Sequence, residues 1–237
     1  MKTTHVVLLL PPSEGKAPGG EPRTAWTCES GLFGSDLGQW RDEVATALRR
    51  VRGGDTRLLG VSGDHLRRAK DANSQLIGAP TLPAWRRYTG VVWDHLDPGS
   101  LPAVARRRIW VISGLAGLVS AVDPLPDYRL KMSARLAETG PLAQWWRDDL
   151  TDSLLARLGR ATVVDLLPQE HRAAIDWTRV PALRLDLVTR SGGAAGGHAA
   201  KAAKGLLARA MLQSGTTDPR TVARSFRHPD FAIRVTD

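Results

Sequence analysis

Short apolar runs rich in β-branched residues alternate with longer stretches of helical period along this chain of 237 residues. The strand-like runs cover residues 6–10, 109–112, 162–166, 183–188 and 231–235, all of ordinary strand length and free of interior Gly or Pro. The helical period appears over residues 37–51, 65–77, 142–158 and 198–213. In the last of these, Ala199, Ala203, Leu206, Leu207, Ala210 and Met211 form the expected apolar stripe. Strands that alternate with helices cannot bury their faces in a sandwich or a bundle. The pattern predicts a single domain over residues 1–237, of α/β or α+β class, built on a mixed sheet.

The stretch from Ile112 to Arg135 carries the densest signals for a site. A β-branched run breaks at Ser113-Gly114, a second glycine follows at Gly117, and Tyr128-Arg129-Leu130-Lys131-Met132 alternates apolar and cationic residues. A turn at the carboxyl end of a strand can expose backbone N–H groups, and cations on a nearby extended segment would complete an anion-binding crevice. The same residues also suit a plain chain reversal.

Composition narrows the partners. Lys and Arg number 33 against 24 Asp and Glu, a net charge of +9, which attracts phosphate-bearing partners. The excess is almost all arginine, however, and genomic base composition alone can produce that bias. A single cysteine, Cys28, rules out an internal disulfide and a cysteine zinc site. The six histidines show no metal-ligand spacing, so neither a metal nor a cofactor is expected. No run is long enough to cross a membrane and no secretory leader is visible, which predicts a cytoplasmic protein. It is expected to act as a monomer.

Four further motifs hold candidate residues. LLLPPSEGK (residues 8–16) ends a buried strand in a proline-stiffened turn that presents Ser13 and Lys16. It lacks the early glycine and the hydroxyl after lysine that a P-loop needs. LLGVSG (residues 58–63) has the Gly-hydrophobic-x-Gly form of a helix–hairpin–helix, over about residues 55–78, with Gly60 and Gly63 in the hairpin. A plain interhelical turn reads the same way. A glycine-rich loop then leads into a helix whose first turns carry His198, Lys201 and Lys204, expected on one side, away from the Leu206 stripe. VVDLLPQEH (residues 163–171) offers Asp165 and Glu170, either as general bases or as a cap and an ion pair.

LLLPPSEGK, YTGVVWDHL, ISGLAGL, VDPLPDYRLKM, VVDLLPQEH and GHAAKAAKGLLAR occur in this order from Leu8 to Arg209. In this the chain resembles the YaaA family of peroxide-stress proteins, in its actinobacterial-type branch. The resemblance implies a single-domain α/β fold with a helix–hairpin–helix element. It implies a basic cleft that binds double-stranded DNA, and a role in limiting damage from hydrogen peroxide and iron. Carried over by position, the cleft residues are Ser13, Lys16, Tyr88, Ser113, Arg129, Lys131, His198, Lys201 and Lys204, with Gly60–Gly63 as the hairpin and Gly114 beside Ser113. The chain departs from the family pattern at Trp93, Ala116 and Ala200. A second expectation belongs to a different class. Ser13, Lys16, Ser113, Arg129, Asp165 and Lys201 could converge in an enzyme pocket for a nucleobase, nucleotide or other anionic small molecule. Asp165 or Glu170 would then be the base, and Lys16, Arg129 and Lys201 the anion clamp.

Overall fold

The computed structural model describes residues 5–215 and 218–236. Its main sheet has six strands: β1 (Val6–Leu10), β2 (Ile109–Ser113), β3 (Gly117–Ser120), β4 (Thr162–Asp165), β5 (Ala182–Thr189) and β6 (Phe231–Thr236), in the order β6-β5-β4-β1-β2-β3. The inner pairings β5-β4, β4-β1 and β1-β2 are parallel, and both edge pairings are antiparallel. Every residue of β1 and β2 is buried, as the continuous apolar runs require of strands covered on both faces. The edge strand β6 instead alternates along its length.

The longer helices are α1 (Gly34–Arg50), α3 (Gly63–Ser74), α5 (Leu142–Leu158) and α6 (Gly197–Gln213), with the short α2 (Thr56–Leu59) and α4 (Val91–Leu96) between them and the short α7 (Pro219–Ser225) after α6. One contiguous core joins β1, β2 and β4 to residues of α1, α5 and α6, including Leu37, Trp146, Leu154 and Leu207. Among the described residues no helix is long and apolar enough to cross a membrane.

Two expectations change in the structure. ISGLAGL is not an open anion-binding turn but a tight β-hairpin, with Ser113 paired to Gly117 and the loop between them buried. Gly117 has φ +64° and lies against the Trp146 ring, where a Cβ would come within 2.8 Å. Trp146 Nε1 donates to Gly114 O at 3.1 Å and closes over the turn. The buried face of α6 is also rotated from the expected stripe. Ala200, Ala203, Leu207, Ala208 and Met211 are buried, whereas Leu206 is 40% exposed. The rotation carries Lys204 to the edge of the buried face. Gly205 makes it possible, because a Cβ there would lie 2.4 Å from Val92 O of α4.

Candidate functional site

The chain leaves β1 toward β2 on one side, and returns to β4 on the other. A crevice opens beyond the carboxyl ends of strands at such a switch point. Here it is a cavity of about 1030 Å³, walled by residues 11–16 after β1, residues 89–93 and 129–131, residues 167–171 after β4, residues 184–188 of β5 and the start of α6. Seven cationic side chains line it against three carboxylates, Glu14, Glu170 and Asp186.

Lys16 sits at the base of the turn after β1. The two-residue strand Gly15–Lys16 pairs antiparallel with Tyr88–Thr89, and the Ser13 hydroxyl donates to Thr89 O across it. Lys16 Nζ donates to Ser13 O at 2.8 Å and lies 4.3 Å from the centre of the Tyr128 ring. Burial lowers its pKa to about 7. Arg129 and Arg87 push the same way, while Asp127 and Glu14 oppose them. Tyr88 OH lies 3.0 Å from Tyr128 OH, which lies 2.8 Å from Ser113 Oγ. Burial raises both phenols, Tyr128 to about 12. Tyr88 and Ser113 therefore form a dry support behind Lys16 and do not line the cavity.

The segment around Arg129 behaves as its alternation predicts. Tyr128, Leu130 and Met132 are buried, while Arg129 and Lys131 reach the cavity. Among the described residues it has no strand partner. Its backbone is held instead by the buried Asn73 of α3, whose Oδ1 accepts from Arg129 N at 2.9 Å and whose Nδ2 donates to Arg129 O at 2.8 Å. Arg129 Nε donates to Leu59 O at 3.1 Å. Glu14 lies between the two cations, 3.4 Å from Arg129 and 3.9 Å from Lys131. Gly60, the left-handed cap of α2, packs beside Lys131 Nζ. The exposed turn between α2 and α3, with Gly60 and Gly63, thus borders the cavity mouth, although α2 is only one turn long.

On the far wall, Lys204 Nζ donates to Leu166 O at 2.7 Å, and burial lowers its pKa to about 8 against the pull of Asp186. Lys201 lines the cavity beside it, and His198 lies outside. Glu170 lines the cavity with its side chain 44% exposed. Asp165 does not reach it. Its carboxylate is fully buried, paired with Arg172, and accepts from Leu167 N at 2.8 Å. The cap-and-ion-pair reading of Asp165 describes these contacts.

Two rings of the lining, Trp93 and His171, stand in the sequence motifs without an assigned role. Among the described residues the buried Trp93 Nε1 and His171 Nδ1 atoms have no hydrogen-bond partners, and Glu170 Oε1 lies 3.5 Å from His171 Nδ1. Burial, with Lys204 and Lys16 nearby, holds His171 neutral down to about pH 4. Of the other family departures, Ala200 lines the cavity. Ala116 is buried, and its carbonyl accepts from Arg41 Nε at 3.0 Å. Among the described residues no group of His, Cys, Asp and Glu could hold a metal ion.

The chain is 35% identical over 227 residues to a UPF0246 protein of Streptomyces coelicolor, covering 89% of this chain and 84% of that protein. It is 31% identical over 155 residues to one of Corynebacterium glutamicum, covering 63% and 62%. A UPF0246 protein of Ruegeria pomeroyi is 30% identical over 201 residues, covering 76% and 77%. The family model described as peroxide stress protein YaaA matches residues 6–235. Nearly the whole described fold, with every wall of the cavity, lies inside that match, and the chain belongs to the YaaA peroxide-stress family.

Proposed function

We propose that the cavity binds a phosphate-bearing or otherwise anionic small molecule, such as a nucleotide, and is the pocket of an enzyme. The observation that carries this reading is the set of lining cations on opposing walls, with Lys204 set into one of them. A buried cation is costly without a counter-charge. Its lowered pKa rises again when an anion enters, so ligand binding and proton uptake are linked. Arg129, Lys131, Lys201 and Lys204 form the clamp. Glu170 and His171, whose Nδ1 lies 3.5 Å from Glu170 Oε1, are the groups able to carry a proton.

Calorimetry with inorganic phosphate and a mononucleotide tests it. Affinity falls as pH rises through about 8, where Lys204 loses its charge. Lys204→Met weakens binding roughly 10- to 100-fold, the worth of a charge-assisted contact. Binding that ignores both the pH change and the substitution overturns the reading.

A second reading is supported by the exposed turn beside the cavity mouth. Arg57, Arg67 and Arg68 are exposed around it. Duplex DNA would lie on this rim through phosphate contacts, and would link the protein to damage from iron and hydrogen peroxide. Five to eight such contacts predict a loss of roughly 10²–10⁴ in affinity between 50 and 200 mM salt. Arg57→Ala/Arg67→Ala lowers the salt slope by about 2 and leaves phosphate binding in the cavity unchanged. A flat salt response removes the DNA reading.

A further inference from the structure

Lys16 is built into the cavity as no clamp residue is. Its backbone is pinned by pairing to Tyr88–Thr89, and its Nζ is held by Ser13 O at 2.8 Å. Among the described residues no carboxylate lies within ion-pair distance of it, and its neighbours are the ring faces of Tyr128 and Tyr88. The charged groups that act on it are Asp127 and Glu14, outweighed by burial with Arg129 and Arg87. With burial lowering its pKa to about 7, about half of Lys16 carries a free lone pair at neutral pH, which makes it an activated amine. His171 lies close enough to feel the charges of Lys204 and Lys16, is buried, stays neutral, and among the described residues has no hydrogen bond at Nδ1, whose nearest carboxylate is Glu170 at 3.5 Å. An amine that attacks and an imidazole that carries the proton divide the work of carbonyl addition.

We propose that Lys16 is a nucleophile that forms an imine with a carbonyl compound whose anionic group is held by Arg129, Lys131, Lys201 and Lys204. This rests on the anion-binding reading of the cavity. The Lys16 lone pair attacks the carbonyl carbon, and the C=O π pair moves to oxygen. The proton released from nitrogen passes through His171 to that oxygen, giving a carbinolamine. The imidazole then takes the remaining N–H proton and delivers it to the departing oxygen; the C–O bond breaks as water leaves, and the nitrogen electron pair forms the C=N bond. One water leaves and no oxidant or reductant is consumed.

The test is reductive trapping. The full-length protein is incubated at pH 7 with glyoxylate, an aldehyde bearing a carboxylate, and sodium cyanoborohydride, and labelled lysines are located by peptide mass. Lys16 is expected to label at least about 10-fold faster than Lys70, because an ordinary lysine is almost wholly protonated at that pH. His171→Gln slows labelling of Lys16 and leaves Lys70 unchanged. A Lys16 rate within about twofold of Lys70 overturns the proposal, and if phosphate still binds by calorimetry the anion reading survives it. Preferential labelling of Lys16 that phosphate neither slows nor accompanies by binding supports the nucleophile and overturns the anion reading.

Discussion

Replacing Asp165 by asparagine separates structure from chemistry at one of the two carboxylates, the other being Glu170, that the motifs left in both roles. Asparagine has the same shape, so no cavity opens. Its Oδ1 still accepts from Leu167 N, now as a neutral acceptor, a change on the order of 1 kcal/mol. The larger effect is on Arg172. Breaking a buried ion pair from one side costs about 3–5 kcal/mol. The low end applies here, because the Arg172 side chain keeps 13% exposure and stacks on Trp177 at 4.4 Å. A total near 4 kcal/mol lowers Tm by roughly 8–16 °C for a chain of this size. Thermal unfolding followed by circular dichroism at pH 7 measures it. Arg172→Met in the same chain removes the stranded charge and recovers much of the loss, so the double-mutant cycle shows coupling above about 1 kcal/mol. Phosphate binding by folded Asp165→Asn stays unchanged. A Tm drop of less than about 1 °C, together with lost phosphate binding or lost Lys16 labelling, refutes the structural assignment.

Three other outcomes follow from particular contacts. Gly205→Ala, stabilising by about 1 kcal/mol in a free helix, destabilises here by about 2 kcal/mol or more, since its Cβ would sit 2.4 Å from Val92 O; a rise in Tm contradicts the close packing of α6 on α4. His171 has a folded pKa of about 4 against 6.5 when free. Its contribution is fully present above pH 6.5 and is lost as pH falls through 4. It amounts to about 3 kcal/mol, and denaturant titrations of His171→Gln show a correspondingly flatter acid limb. Cys28, with its thiol raised to about 11 by burial and Asp42, reacts with iodoacetamide on the order of 100-fold more slowly than glutathione at neutral pH. Asp42→Asn speeds it. Rapid alkylation in the unaltered chain contradicts the burial, and slow alkylation marks this thiol as a poor target for peroxide.

The secondary structure was largely legible because its signals are local. The runs at Val6, Ile109, Thr162, Leu183 and Phe231 all became strands of one sheet, and the four long helical stretches all formed. The alternation from Tyr128 to Met132 correctly assigned Arg129 and Lys131 to the open side. Strand β3 was missed because LAGLVS reads as the tail of a turn until Trp146 is seen to cover it. The stripe on α6 was placed off its axis because several alanines gave more than one apolar face. Asn73 left no readable signal, since a helical asparagine looks the same whether it meets water or holds a backbone 56 residues away.

By itself, the sequence determined the alternating elements, the surplus of positive charge and the family. Each of these is written in composition, in periods of two and 3.6 residues, or in the order of motifs. Only the tertiary structure decided which polar groups remain available. It closed Ser113 against Tyr128, tied Asp165 to Arg172, turned His198 away, and set into one cavity Lys16, with no carboxylate in ion-pair range among the described residues, and His171, 3.5 Å from Glu170. Hydrogen bonds and burial join residues far apart in the chain, and it is burial that changes what a lysine or an imidazole can do.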